Sequence, residues 1–334
     1  MYIVTGGAGF IGSAMVWKLN QMGIDDILVV DNLASTEKWK NLVNLKYEDY
    51  LHRDQFLKLI IEGDDPFETE AVIHMGACSS TTEFDADFLM ENNYRYTQYV
   101  CRFCLAHGAR FINASSAATY GGGEHGFSDS HDVVPALRPL NMYGYSKQLF
   151  DMWALKGGLL DKIVCLKFFN VFGPNEYHKG DMMSVICKAH TQIGETGKLK
   201  LFKSYREEYP DGGQKRDFVY VKDCVDIMAW LMQTPDVNGI FNVGTGTART
   251  WNDLADSVFS AMGRETAVEY IDMPEVIRDK YQYFTQADMT RLAEAGCPVQ
   301  MTSLEDAAED YVKNYLSQDN TVPQILEDLQ EVRC

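Results

Sequence analysis

At 334 residues, 46% of them hydrophobic, the chain is long enough for one large core or two packed domains, and intrinsic disorder is excluded. Its 48 acidic against 30 basic residues leave a formal net charge of -18, which disfavours nucleic acid and anionic membrane surfaces as partners. An anionic substrate therefore needs a local basic pocket. No positively charged segment leads into an apolar stretch and no apolar run is long enough to cross a bilayer, so the expectation is a cytoplasmic protein.

Residues 2–5 read as a strand that opens into Gly6-Gly7-Ala8-Gly9-Phe10-Ile11-Gly12 and then into a helix over 11–22. This order points to a dinucleotide turn, with Gly6 for the tight turn, Gly9 for close approach of a pyrophosphate and Gly12 for contact between helix and strand. Asp31 ends the apolar run Ile27-Leu28-Val29-Val30, where a carboxylate meets an adenosine ribose hydroxyl. Further strands are expected at 27–31, 71–75, 110–114 and 163–168, with helices at 84–107 and 145–156. The alternation predicts an α/β fold, a Rossmann-like doubly wound parallel sheet.

After about residue 174 the pattern predicts a smaller mixed α/β lobe. Its elements are a helix near 182–194, a polar stretch over 205–215, strands near 217–221 and 240–243, and helices over 250–261, 286–293 and 304–316. Residues 223–231 read as a helix returning to the first sheet. The dinucleotide domain is thus expected over 1–174 plus about 217–248, and the substrate lobe over 175–216 and 249–334. An acidic tail over 319–334 packs loosely or pairs with another subunit, and the polar insert over 205–214 is either a lid or a tolerated surface loop. The eight cysteines lack the paired spacing of a tetrahedral metal site, so no metal is expected, and core packing accounts for the Cys101/Cys104 pair on one helix.

Tyr143-Gly144-Tyr145-Ser146-Lys147 places a phenol and an ammonium one helical turn apart. The cation is expected to favour the phenolate, lowering a pKa that is ordinarily about 10. Ser116, in Asn113-Ala114-Ser115-Ser116, leaves a strand at the carboxyl edge, where open α/β sheets place their ligands. It is either a hydroxyl donor to a reacting oxygen or a helix cap. Tyr120 and Tyr145 read as packed or wall aromatics. Gly76-Ala77-Cys78-Ser79 follows the strand ending near Met75, and its small residues let a cofactor pass close to the backbone; Cys78 reads as a filler rather than a nucleophile.

On the glycine turn, the serine and the Tyr143/Lys147 pair, the chain resembles the extended short-chain dehydrogenase/reductase superfamily. Within it, the chain is similar to the ADP-L-glycero-D-manno-heptose 6-epimerase family along nearly its whole length. The stretches include Gly76-Ala77-Cys78-Ser79-Ser80-Thr81-Thr82, Phe169-Asn170-Val171-Phe172-Gly173-Pro174 and His178-Lys179-Gly180. The resemblance implies inversion of C6 of ADP-D-glycero-β-D-manno-heptose to the L-glycero epimer, by transient oxidation and reduction. It implies Tyr143 and Lys179 as the acid/base pair, Ser116 assisting the oxygen and Lys147 organising the cofactor.

The same resemblance implies one tightly bound NADP per subunit. Asp31 by itself favours NAD, which stays the alternative. Cofactor contacts are expected from Gly6, Gly9, Phe10, Ile11, Gly12, Asp31, Asn32, Lys38, Arg53, Met75, Gly76, Ala77, Cys78, Ser79, Asn92, Lys147, Val171 and Lys179. Substrate contacts are expected from Ser116, Asn170, Asp181, Lys188, Phe202, Lys203, Ser204, Tyr205, Arg216 and Tyr281. Arg216 is the candidate for the diphosphate, its plain alternative being an ion pair with Asp217. Asp181 and Lys188 depart from the family's serine and histidine, so an acid and a base enter that region together. The family further implies a homo-oligomer, often a pentamer, that makes a heptose precursor for lipopolysaccharide core.

A dehydratase would carry an acidic pair after the strand-end hydroxyl, where this chain has Ala117-Ala118. Another nucleotide-sugar epimerase, such as a UDP-glucose 4-epimerase, fits the generic residues but does not account for Lys179. A nucleotide sensor without turnover has no need of a base beside a hydride acceptor.

Overall fold

Short runs, most of them carrying valine or isoleucine, form the parallel strands β1 (Tyr2–Thr5), β2 (Ile27–Asp31), β4 (Ala71–His74), β5 (Arg110–Ser116) and β6 (Val164–Phe168), joined at one edge by the half-polar β3 (Asp49–His52). The later strands are β7 (Asn170–Phe172), β8 (Leu199–Phe202), β9 (Lys215–Tyr220), β10 (Gly239–Val243), β11 (Ala248–Thr250) and β12 (Val268–Ile271). In the computed structural model, which describes residues 1–278 and 281–318, seven strands make one sheet in the order β10-β6-β5-β4-β1-β2-β3. The expected acidic tail over 319–334 lies outside the described residues. Two small sheets, β11-β9-β7 and β12-β8, complete the fold.

The period of two in each strand divides the large sheet between two cores. Val4, Val29, Ile73 and Val164 face the helices Phe10–Gln21 and Val221–Gln233, whereas Ile3, Leu28, Val72 and Cys165 face Arg53–Glu62, Tyr96–His107 and Met142–Lys156. Helices on both faces and a strand order that reverses between β1 and β4 make the sheet doubly wound, as expected. Thr5 of β1 is level with Val30 of β2 and His74 of β4, so the segments after all three strands emerge together at one edge. Cys101 and Cys104 are fully buried, and burial pushes both thiols up, that of Cys101 to about 12.

Several elements differ from the sequence reading. The helix expected over 84–107 is broken into Ala86–Leu89, a wide π turn over Met90–Arg95, and Tyr96–His107. The helix expected near 182–194 starts only at Val185, capped by Ser184, because Gly180 takes a positive φ of 52° and turns the chain before it. β9 does not join the large sheet with the rest of the 217–248 segment; it pairs with β7 and β11. The helix expected over 286–293 is short and falls at Thr290–Glu294. β3 has no apolar run because it is the sheet's edge, with Asp49 exposed.

Behind the edge where the strands end lies a charged pair with no exposure at all, Lys167 Nζ to Asp151 Oδ2 at 2.7 Å. The same oxygen accepts from Ser115 Oγ at 2.8 Å, and Lys167 also donates to Thr119 Oγ1 at 2.7 Å. Removing one partner strands the other's charge in the core. Lys167→Ala is therefore expected to cost about 3–5 kcal/mol in urea unfolding, and a loss below about 1 kcal/mol would contradict this account of the pair.

Candidate functional site

The glycine turn is set by backbone contact. Gly6 has φ 64°, and a Cβ there would lie 2.7 Å from the Gly76 nitrogen, while a Cβ on Gly12 would lie 2.1 Å from the Gly6 oxygen. Gly6 N–H donates to Val30 O at 2.7 Å, and Gly76 N–H donates to Thr5 Oγ1 at 3.2 Å, so the turns after β1 and β4 are fixed against one another. The helix Phe10–Gln21 starts at Gly9 with no side-chain cap and no acidic residue in its first turn. Its first N–H groups and positive dipole end suit a pyrophosphate, and the missing Cβ atoms leave the cradle that such a group fills.

This turn opens onto a cavity of about 700 Å³. All eighteen residues expected to touch the cofactor line it, and so do Tyr143, Lys179, Ser116 and Lys147. At one end Asp31, 6% exposed, is fully engaged: Oδ2 accepts from Ala8 N at 2.9 Å, and Oδ1 accepts from Asn32 N and Lys38 Nζ at 2.6 Å. Arg53 stands beside it in the lining and donates to Asn92 Oδ1.

At the other end, β5 delivers Ser116 and Asn141 caps the helix Met142–Lys156, accepting from Gly144 N at 2.8 Å. That helix presents Tyr143 and Lys147 to the cavity. Ser116 fills the capping role, since its Oγ accepts from Ala118 N at 3.1 Å, and it also hydrogen-bonds the Tyr143 phenol. The expected lowering of that phenol is not seen. Burial pushes it up, the Ser116 bond pulls it back, and the Cys78 thiol adds a further upward push. Lys147 is turned away to donate to Ala114 O at 2.6 Å, and burial pushes its ammonium down to about 8 against the opposing pull of Asp151. The Tyr143 phenol is therefore held toward its neutral form.

Lys179 reaches the cavity from the loop after β7, its Nζ 5.0 Å from the centre of the Phe10 ring. Burial lowers its proton affinity, Glu176 raises it and Lys188 lowers it. The loop is stapled to the glycine turn: Asn41 Nδ2 donates to Ala8 O and to Asn175 O, both at 3.0 Å, and Asn175 Nδ2 donates to Ser13 Oγ at 2.9 Å.

Of the residues expected on the substrate, Ser116 and Asn170 line the cavity, whereas Asp181, Lys188, Phe202, Lys203, Ser204, Tyr205, Arg216 and Tyr281 do not. Arg216 stands one layer behind, with its guanidinium 5.8 Å from the ring of Trp251, a lining residue, and 5.3 Å from that of Tyr281. Its alternative partner is otherwise occupied, because the Asp217 carboxylate accepts from Thr245 N, Gly246 N and Ala287 N. Asp181 and Lys188 are both exposed, and Lys188 Nζ donates to the Asp181 backbone oxygen rather than to its carboxylate. The insert over 205–214 is pinned, with Asp211 Oδ1 accepting from Ser204 N at 2.7 Å and Asp211 O from Asn252 Nδ2 at 3.0 Å. Lys203 and the Tyr205 hydroxyl share Asp272.

Sequence reading missed Asn93, which holds the Cys78 turn by accepting from Cys78 N and donating to Cys78 O, both at 2.9 Å, and donates to Ser146 Oγ at 3.1 Å. The π turn that swings Asn92 and Asn93 inward interrupts the helical period, and that interruption was the available signal. Trp251, Met182 and Met183 also line the cavity unforeseen.

The model of the NAD dependent epimerase/dehydratase family matches residues 2–244. The chain belongs to that family. It is 66% identical over 317 residues to the ADP-L-glycero-D-manno-heptose-6-epimerase of Nitratidesulfovibrio vulgaris, covering 95% of this chain and 98% of the relative. Among solved structures it is similar to the Helicobacter pylori ADP-L-glycero-D-manno-heptose-6-epimerase, with TM-score 0.79, 26% identity, and coverage of 93% and 94% of the two chains. It is also similar to the Thermus thermophilus UDP-glucose 4-epimerase in complex with NAD, with TM-score 0.72, 25% identity, and coverage of 93% and 97%. The protein is a nucleotide-sugar epimerase of Rossmann-like fold, and among the described residues no helix is long and apolar enough to cross a membrane.

Gly12→Ala is expected to abolish binding of a nicotinamide dinucleotide while the strands persist, because the new methyl meets the Gly6 carbonyl and forces the turn apart. Retained binding in a fluorescence titration, with an unchanged circular dichroism spectrum, would contradict the role assigned to this contact.

Proposed function

We propose that this epimerase inverts C6 of ADP-D-glycero-β-D-manno-heptose to give the L-glycero epimer. The observation that carries the reading is that Tyr143, Ser116 and Lys179 line the one cavity entered by the glycine turn. Two proton-transfer groups on separate elements suit a reaction in which the C6 oxygen gives up its proton in one orientation and takes one back in another. When bound, the nicotinamide supplies hydride chemistry at C6, in one direction and then the other. As C6 is oxidised its hydroxyl proton passes to the one group that is deprotonated, and as the carbonyl is reduced in its other orientation the oxygen takes a proton from the other. Lys179, whose ammonium is weakened by burial, suits acceptance, and Tyr143, held neutral by burial and oriented by Ser116, suits donation. Lys147, which lines the cavity, takes a cofactor ribose hydroxyl in this reading once its ammonium turns from Ala114 O.

NADP is the cofactor this reading carries. The Asp31 carboxylate, drawn onto two backbone N–H groups and Lys38, no longer confronts a 2′-phosphate alone, and Lys38 and Arg53 both line that end of the cavity. Arg216, poised behind Trp251, is the group for the substrate diphosphate, with Tyr281 beside it. The family's cytoplasmic homo-oligomer, a pentamer, belongs to the same reading.

Tyr143→Phe and Lys179→Ala are each expected to lower kcat by about 10²–10⁴-fold with unfolding unchanged, since each removes proton transfer and neither removes core packing. Turnover is followed by the C6 proton signal with ADP-D-glycero-β-D-manno-heptose, and UDP-glucose is the rival substrate. Epimerisation of UDP-glucose alone would overturn the proposed substrate, and unchanged turnover in either variant would remove that residue from the mechanism.

Lys38→Ala is expected to weaken NADP binding about tenfold more than NAD binding, and equal losses would count against NADP. Because the Lys147 ammonium deprotonates near pH 8 in the cofactor-free protein, dinucleotide affinity is expected to be full below that pH and to fall as pH rises through it. Lys147→Met should flatten that pH dependence in calorimetric titrations.

A further inference from the structure

Glu176 belongs to none of the groups assigned above, yet it is a carboxylate with 0% exposure three residues before Lys179. Burial at that cost requires partners, and it has four. Oε1 accepts from Gly173 N at 3.3 Å, from Ser184 Oγ at 2.7 Å and from Tyr311 OH at 3.1 Å, while Oε2 accepts from Ser184 N. Gly173 and Ser184 are the two ends of the loop that carries His178, Lys179 and Gly180. Ser184 also caps the next helix, accepting from Cys187 N at 3.2 Å.

We propose that Glu176 is the positioning residue for Lys179: its carboxylate draws both ends of the 173–184 loop onto one point, and so fixes where the ammonium stands against Phe10 and the cavity. The backbone makes the last link, with Lys179 N–H donating to Glu176 O at 3.0 Å. Charge works in the same sense, because the carboxylate is the group that supports the Lys179 proton against burial and against Lys188. The other titratable groups facing Glu176 are Tyr177, Cys187 and Tyr311, none of them a competing cation. Tyr311 ends the helix Leu304–Tyr311, so the clamp also joins the last described α-helix to the site.

This inference rests on the reading of Lys179 as the second proton-transfer group, and the test separates the two. The full chain loaded with cofactor is compared as wild type, Glu176→Gln, Glu176→Asp, Tyr311→Phe and Lys179→Ala. Steady-state epimerisation is paired with mass-spectrometric measurement of the rate of Lys179 acetylation against pH. Glu176→Gln is expected to lower kcat about 10–100-fold with KM within about twofold. The pH at which Lys179 reaches half its maximal acetylation rate should move down, because a charge that held the proton is gone.

Glu176→Asp should restore the acetylation midpoint and part of kcat. Tyr311→Phe, which removes one neutral donor remote from the cavity, should lower kcat about threefold at constant KM, and it tests the clamp even if Glu176→Gln does not fold. Full turnover in Lys179→Ala would sink the reading of Lys179. Loss of turnover in Lys179→Ala, together with wild-type kcat in Tyr311→Phe or an unmoved acetylation midpoint in folded Glu176→Gln, would overturn the role of Glu176 alone.

Discussion

The site depends on two backbones touching. Where β1 and β4 end, Gly6 and Gly76 come so close that no side chain fits between them, and a Cβ on Gly12 has no room against the Gly6 carbonyl. That contact places the start of an uncapped helix at the open edge of the sheet, with its N–H groups aimed at one cavity. The lining elements then follow from strand level: β2 brings Asp31, β4 brings the Cys78 turn, and β5 brings Ser116.

Buried charge is the second constraint. Lys147, Lys167, Asp151, Asp217 and Glu176 all lie within the protein at 5% exposure or less, and each has hydrogen-bond partners among the described residues. Groups so placed hold their positions, because movement would break bonds that water cannot replace. Such fixity suits the proposed reaction, in which the sugar turns between two fixed groups. Burial acts on Tyr143 as well: it raises the energy of the phenol's anion, and the Ser116 hydrogen bond is what opposes it.

Much of this was legible in the residues. The glycine turn, Asp31 and the Tyr143/Lys147 spacing are local patterns, and each of those residues lines the cavity, as does Lys179, which the family resemblance supplied. What could not be read depends on distant partners. Nothing near Arg216 in the chain tells that it stacks against Trp251 and Tyr281 instead of pairing with Asp217. β3, β7, β8, β11 and β12 are short or half polar, so alternation over four residues does not separate them from loops. The break in the helix over 84–107 escaped because the first piece, Ala86–Leu89, is a single turn, too short for its period to be told from that of Tyr96–His107 across the π turn.

The staple between the glycine turn and the loop of Lys179 has a consequence for how the protein is assembled for work. Asn41 grips Ala8 on one side and Asn175 on the other, and Asn175 in turn grips Ser13. The start of the helix and the loop that carries Lys179 are thus joined through two amide side chains, and neither can shift without breaking bonds held by the other.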